Sequence, residues 1–349
     1  MSSAWSLAEN VWLTGVNGFR VAVQAELRVD VRLPEGLPEL FALPWFQHAP
    51  ILVLGEGSNT LLVKDVPGAV ICIHALERRI LHDDGEHALV RIGAGEHWDD
   101  VVRWSLGQGL AGLENLALIP GTAGAAPVQN IGAYGTEIRE FVDTVEAWDR
   151  TTGTLVRLGA QECGFAYRDS RFKHEASRWL VTAVELRLPH HHAPRIDYPG
   201  LREELAALGV GDRPRPSEIA EAVSRLRTRK LPNPTLLPNV GSFFRNPQVP
   251  LAQAEALRED NPTLPVHTTD NPGLRKLSAA WLIEQAGWKG HRDGDAGVSA
   301  QHALVLVNHG QASGLQLFDL ARRIAVSVQE RFGVSLEPEA RIIGADWRV

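Results

Sequence analysis

The chain has 349 residues, 44% of them hydrophobic and 22% charged, with a formal net charge of −7. That balance fits an ordinary globular protein of two or three domains and excludes a disordered one. The acidic excess and the short apolar runs exclude a general nucleic-acid grip and a membrane-spanning helix, so neither nucleic acid nor membrane is expected as a partner.

Residues 1–50 give a mixed signal: a turn at 15–18, then a strand over 21–27, then a connecting segment at 42–50. Residues 51–54 read as a short buried strand that ends in Gly55-Glu-Gly-Ser-Asn59, and apolar residues resume at 60–63. Strands are predicted at 69–73 and 89–92, and a helix over 97–107. Residues 117–135 hold four Gly and two Pro and carry no charged side chain. Further strands are predicted at 142–148, 155–158 and 180–188. Residues 189–216 read as an exposed Pro-, Gly- and His-rich connection. A helix follows over 216–230, capped by Ser217, with Ile219, Val223 and Leu226 on one face. The Pro-rich run 231–238 breaks it. Helices at 278–285 and 314–332 and a tail from 334 complete the chain. Strands and helices do not alternate regularly, which indicates an α+β protein rather than a doubly wound sheet.

Cys72 and Cys163 are the two cysteines. They are too few for a disulfide scaffold or a four-cysteine metal site, and they fit a reducing cytoplasm. The absence of a basic cluster followed by an apolar stretch at the start of the chain gives no secretory signal. His190-His-His192 lies in a polar, Pro-rich connection without further ligands at suitable spacing, so no metal is expected. The chain uses 30 Arg but 5 Lys, namely Lys64, Lys173, Lys230, Lys276 and Lys289. A lysine here is therefore slightly more informative than usual.

Five motifs could carry chemistry. Gly55, Gly57, Ser58 and Asn59 form a tight turn after a strand, either an ordinary hairpin turn or a nest of N–H donors for a pyrophosphate. Residues 120–135 are either a wide surface loop or a second stretch of backbone that can approach a long ligand such as a dinucleotide. In that loop Pro120, Gly121, Gly124, Gly132 and Gly135 shape the chain, and Gln129, Asn130 and Tyr134 supply polar groups. Tyr167-Arg168 offers a guanidinium that can clamp a carboxylate, or that simply pairs with Asp169. Ser242 lies in Gly241-Ser-Phe-Phe-Arg-Asn-Pro247, where two aromatics can shield its hydroxyl. It is a proton donor or a serine that starts a strand. Glu339, after Pro338, heads an apolar run. It is an exposed turn residue or a buried carboxyl kept protonated near neutrality.

Together, in this order from about residue 52 to 344, these motifs resemble the UDP-N-acetylenolpyruvoylglucosamine reductase (MurB) family, type I. The resemblance implies an α+β fold with a vanillyl-alcohol-oxidase/PCMH-type FAD-binding domain over 1–195, made of two α+β subdomains split near 75. A smaller α+β substrate domain over 215–333 and a tail over 334–349 that returns to the FAD domain would follow. It implies FAD and NADPH as cofactors, UDP-N-acetylglucosamine enolpyruvate as substrate, a cytoplasmic role in peptidoglycan synthesis, and no obligate protein partner. The glycine loops would bind the flavin. Arg168 would polarise the enolpyruvyl carboxylate, Glu339 would help stabilise the enolate-like intermediate, and Ser242 would protonate it. Tyr198, in the extra loop of type I members, would cover the substrate diphosphate, and Tyr167, Lys230, Asn246, Lys289 and His302 would contact the substrate. Three departures stand out. His302 replaces an amide or acid, Glu56 replaces a glycine at a position expected to face solvent, and residues 10–15 lack the family's Asn-Thr-Phe-like segment. Two rival classes are a flavoprotein oxidase of the same fold, disfavoured because neither cysteine lies in a glycine loop as a flavin tether, and a non-catalytic UDP-sugar-binding protein.

Overall fold

A computed structural model describes residues 4–349. The chain folds into two compact units. The first comprises residues up to Val11, Ala25–Glu56 and Pro67–Arg229; the second comprises Trp12–Gln24, Gly57–Val66 and Lys230–Val349.

The first unit holds two sheets. One has the strand order Trp5–Trp12, Gln24–Val31, Val66–Ile73, Ile51–Val53, the last two running parallel. The strand predicted at 21–27 thus lies at Gln24–Val31, where Ala25, Val29 and Val31 alternate inward as period-two pleating requires. The segment 42–50 is not a plain connection. Helices Leu37–Ala42 and Pro44–His48 bury Leu37, Leu40 and Phe46 under this sheet. Each is too short to display a 3.6-residue period, and Pro44 at the first turn reads equally well as loop chemistry.

The other sheet is antiparallel, in the order Thr154–Gly159, Val142–Asp149, Trp179–Pro189, His87–Gly93, Arg78–Asp83. Its central strand Trp179–Pro189 is buried along nearly its whole length, while the edge strand Arg78–Asp83 is exposed throughout. Helix Trp98–Gly107 buries Trp98, Val101, Val102 and Ser105, the stripe its sequence predicts. Residues 189–216 are not simply an exposed connection, because helix Leu201–Ala207 buries Leu201 and Leu205 in the same core. Helix Pro216–Lys230 buries Ile219, Ala222, Val223 and Leu226. Ser217 is not its cap. Pro216 is already helical, and Glu218 reaches back to accept the Arg215 backbone N–H at 2.7 Å.

The second unit is built on a four-stranded antiparallel sheet, Asn239–Ser242, Val305–Asn308, Ala296–Val298, Arg292–Asp293. Helix Gly314–Phe332 packs here, opened by a reciprocal Ser313–Gln316 capping box and closed by Gly333. A three-stranded sheet orders Gln248–Pro250, Leu274–Leu277 and Val266–Thr268. The tail strand Arg341–Ile343 pairs in parallel with Thr60–Leu62.

Candidate functional site

In the first unit the loop at 117–135 is pinned to the end of strand His87–Gly93. Gly124 N–H donates to Ala94 O (2.9 Å), Ala123 N–H to Glu96 O (2.8 Å), and Trp98 N–H to Gly121 O (2.9 Å). A Cβ on Gly124 would lie 2.5 Å from the Ala94 Cβ, so this contact admits glycine alone. Three non-glycine residues here hold left-handed backbones: Leu118 (φ 58°), Asn130 (φ 46°) and Tyr134 (φ 49°). Such conformations are sparsely populated and persist where surrounding contacts enforce them. For Asn130 those contacts are explicit. Its fully buried amide donates to Glu137 and to Ala166 O, and accepts the Arg139 N–H at 3.1 Å. Its side chain therefore shapes the loop from within. Pro120 and Gly135 are exposed, and Gln129 and Gly132 are half-buried.

Arg168 sits in a tight turn closed by the Ala166–Asp169 bridge, again with a left-handed backbone (φ 54°). Its guanidinium donates to Gly132 O at 2.6 Å, which ties it to the glycine loop. Tyr167 is exposed and lies against that guanidinium. Asp169, the alternative partner considered for Arg168, accepts from His174 at 2.6 Å. Tyr134 and Tyr198 meet edge to face, with ring centroids 4.7 Å apart. Gly55 approaches the loop at Thr122. Glu56 does not simply face solvent, because it pairs with His97 at 2.8 Å. That contact gives the departure at position 56 a structural reason.

The second unit interlaces three segments. Gly57 has φ 62°, and a Cβ there would lie 2.5 Å from Val16 O, so the turn at Val16-Asn17-Gly18 closes directly over it. Asn17 is buried and braces that turn through Leu13 O and Val21 O. Asn59 donates to Glu339 O at 3.3 Å, and Arg341 N–H donates to Asn59 O. Glu339 N–H donates to Phe243 O at 2.7 Å, directly beside Ser242. Distant parts of the chain thus place Asn59, Ser242 and Glu339 on neighbouring backbone. Phe243 and Phe244 are buried while Ser242 stays half-buried, and Phe244 meets Trp347 at 5.9 Å. Glu339 is half-buried rather than buried, so the deep burial considered for it is not met.

Strand Asn239–Ser242 pairs with Val305, and Phe243 N–H donates to Leu304 O, which brings the turn at 299–305 alongside. His302 in that turn accepts the Leu304 N–H on Nδ1 (3.3 Å), which assigns the proton to Nε2. Burial, then the Lys230 and Lys289 charges, push its pKa down, with Glu284 opposing. Lys289 pairs with Glu284 at 3.0 Å. Asn246 accepts the Ala279 N–H at 2.9 Å at the start of a helix, so its Oδ1 is committed to structure.

Two features escaped sequence reading. The Val16–Gly18 cradle carries a weak signal, the Gly15 and Gly18 pair. Arg227 carries none, since it is one arginine among 30. Among the described residues His190 pairs with Asp83, and the one grouping of metal-ligating side chains is Asp30, Cys72 and His74. Arg28 already donates twice to Asp30, so that grouping carries its own cation.

The loop at 117–135 fits a flavin dinucleotide. It offers glycine-thin backbone, turned N–H groups and no charge of its own, and just after it the buried hydroxyl of Thr136 has no hydrogen-bond partner among the described residues.

Comparison with known proteins agrees. An "FAD binding domain" family matches residues 29–159, and the "UDP-N-acetylenolpyruvoylglucosamine reductase, C-terminal domain" family matches 233–343. The UDP-N-acetylenolpyruvoylglucosamine reductase of Xylella fastidiosa is 55% identical over 98% of this chain and 97% of its own length. That of Xanthomonas axonopodis pv. citri is 52% identical over 99% of each chain. The crystal structure of the Thermus caldophilus reductase superposes with TM-score 0.68 at 26% identity, covering 97% of this chain and 99% of its own. The oxidase 6-hydroxy-D-nicotine oxidase of Arthrobacter nicotinovorans shares the fold at TM-score 0.52 and 14% identity, over 96% of this chain and 87% of its own. The chain combines a PCMH-type FAD-binding domain with a smaller α+β C-terminal domain. With more than half of its residues identical to those relatives across nearly the full length, it belongs to the UDP-N-acetylenolpyruvoylglucosamine reductase family.

Proposed function

We propose that the chain reduces UDP-N-acetylglucosamine enolpyruvate to UDP-N-acetylmuramate with bound FAD and NADPH, a step of peptidoglycan precursor synthesis. The observation that supports the reading is the hydrogen bond from Glu339 N–H to Phe243 O, which sets the tail backbone at Glu339 against the residue that follows Ser242 in a chain of this family. Bound FAD supplies the hydride carrier between NADPH and the terminal carbon of the enol ether.

The chain's own residues bind, polarise and protonate. Arg168, held by Gly132 O, presents a planar fork that binds the enolpyruvyl carboxylate and favours the negative charge that builds toward it. Ser242 donates the proton. A serine is a weak acid, so it protonates a strongly basic carbanionic centre, and the aromatic pair that follows it restricts competing water. Glu339 helps stabilise the enolate-like intermediate from the adjacent backbone. Tyr198 covers the substrate diphosphate with Tyr134 buttressing its ring, and Tyr167 adds a further contact. Lys230 and Lys289 attract the UDP portion, with His302 offering Nε2–H and Asn246 its remaining amide hydrogens. Gly55, Gly57, Ser58, Asn59 and the loop at 120–135 hold the cofactor through backbone donors. The domain boundaries that accompany this reading are 1–195 for FAD and 215–333 for substrate.

Among the described residues no helix is long and apolar enough to cross a membrane. The reading places the reaction in the cytoplasm, where nucleotide-sugar and NADPH meet, without an obligate protein partner. The test is product analysis. FAD-loaded protein, NADPH and the enolpyruvyl substrate should give a UDP-sugar heavier by two hydrogens, one per NADPH consumed. Recovery of unchanged substrate would refute the proposal.

A further inference from the structure

Helix Pro216–Lys230 carries Arg225, Arg227 and Arg229 in succession. Arg225 pairs with Glu221 at 2.7 Å, and Arg229 pairs with Glu204. Among the described residues no carboxylate pairs with Arg227. The half-buried Arg227 instead donates from Nε to Leu118 O at 3.2 Å, at the entry of the glycine loop. The charged and titratable groups that face it are Tyr134, Arg168, Asp99 and Tyr198. Asp99, the one acid of the set, is already engaged by Arg103 (2.7 Å) and by the Leu118 N–H (2.6 Å). Arg168 is a second cation. Burial pulls the Arg227 guanidinium below its usual range, with Arg168 adding to the pull, yet a guanidinium does not lose its charge in a protein. A desolvated cation beside another cation is a standing electrostatic cost that calls for an anion. The backbone around it is also held in rare conformations, at Leu118, Tyr134 and Arg168.

We propose that Arg227 is a positioning and electrostatic residue for the flavin, holding the negative charge that the ring system gains on reduction. The inference rests on reading the loop at 120–135 as the FAD site. Hydride transfer moves two electrons and one proton from NADPH, which leaves as NADP⁺, so the acceptor gains one negative charge. The substrate carboxylate has Arg168 for its counter-charge, and Arg227 is fastened to the flavin loop itself. A cation there stabilises the reduced form over the oxidised one.

The test uses the FAD-loaded enzyme and two variants, Arg227→Gln and Arg227→Lys. The readouts are the midpoint potential of the bound flavin and the affinity for sulfite, an anion that adds to oxidised flavin. In Arg227→Gln the preference for the reduced form should fall at least tenfold, about 30 mV for a two-electron couple. Sulfite affinity should fall by a similar factor, and Arg227→Lys should restore most of both. The KM for the UDP-sugar should stay within twofold. If Arg227→Gln loses FAD, Arg227→Lys with sulfite still decides, since it retains the charge and should bind sulfite nearly as wild type does. An unchanged potential and sulfite affinity in FAD-loaded Arg227→Gln would overturn the proposal, and a tenfold rise in the UDP-sugar KM alone would make Arg227 a substrate clamp instead. A wild-type protein that binds no FAD would overturn the reading of the loop, which is a separate failure.

Discussion

Gly124→Ala isolates the packing of the cofactor loop from its backbone conformation, because Gly124 does not have a positive φ. The new methyl would sit 2.5 Å from the Ala94 Cβ and 3.1 Å from its Cα and O. Ordinary carbon contacts lie near 3.5–4.0 Å, so the two segments must part by about 1 Å. That movement breaks or stretches the hydrogen bonds Gly124 N–H to Ala94 O and Ala123 N–H to Glu96 O. Each is worth about 1 kcal/mol, and overpacking adds about 1–3 kcal/mol, which together make roughly 3–5 kcal/mol. Part of that loss appears in cofactor affinity, because the loop that moves is the one assigned to FAD. Thermal unfolding of apo and FAD-loaded protein, with FAD titration by flavin fluorescence, measures both. The control is Gly107→Ala, at the end of helix Trp98–Gly107, where a Cβ meets nothing within 4 Å. It should be neutral or stabilise by up to about 1 kcal/mol. Wild-type stability and FAD affinity in Gly124→Ala would refute the close-packing argument.

Asp149 accepts from Arg178 Nε (2.9 Å) and Nη2 (2.8 Å) and from Thr151 N–H, and the Arg178 hydrogen bonds hold its carboxyl at about 2. Arg178 is partly exposed, so solvent screening reduces the contribution to about 1–2 kcal/mol. Because the folded-state pKa is depressed, this stabilisation is complete above the ordinary carboxylate range and is lost as pH falls through about 2. Asp149→Asn should therefore unfold more easily at pH 7, with the difference vanishing near pH 2 in denaturant titrations. Arg168→Lys should lower kcat/KM by about 100-fold, since a point charge cannot replace the planar fork; steady-state kinetics near wild type would argue against the carboxylate role. Burial pushes the thiol of Cys72 up to about 11 and that of Cys163 up to about 12. Alkylating reagents at pH 8 should modify neither until the protein unfolds, as mass spectrometry would record.

The two glycine loops stand out in the sequence because glycine, proline and lone polar residues contrast with the apolar strands beside them. The helices Trp98–Gly107, Pro216–Lys230 and Gly314–Phe332 were legible because each is long enough to repeat its apolar stripe. Helices Pro44–His48 and Leu201–Ala207 were missed for the converse reason: one or two turns among Pro and Gly show no period. Ser217 misled because its residue type favours a cap, while Pro216 before it had already begun the helix. Glu56 was placed on the solvent side because sequence cannot show His97 opposite it. Asn130 stood among the candidate cofactor contacts on residue type, yet its amide is occupied by Glu137, Ala166 and Arg139. Arg227 is the strongest case. What sets it apart is that, among the described residues, no carboxylate pairs with it, and the lack of a tertiary counter-charge leaves no trace in the order of residues.

The most direct test of the account separates the two halves of turnover by anaerobic stopped-flow absorbance, comparing the wild-type enzyme with Ser242→Ala. NADPH should bleach the flavin at similar rates in both, and the enolpyruvyl substrate should then recolour the wild type but recolour Ser242→Ala at least about 100-fold more slowly. Recolouring of Ser242→Ala at the wild-type rate, or an equal loss in both halves, would contradict the assignment of the proton to Ser242.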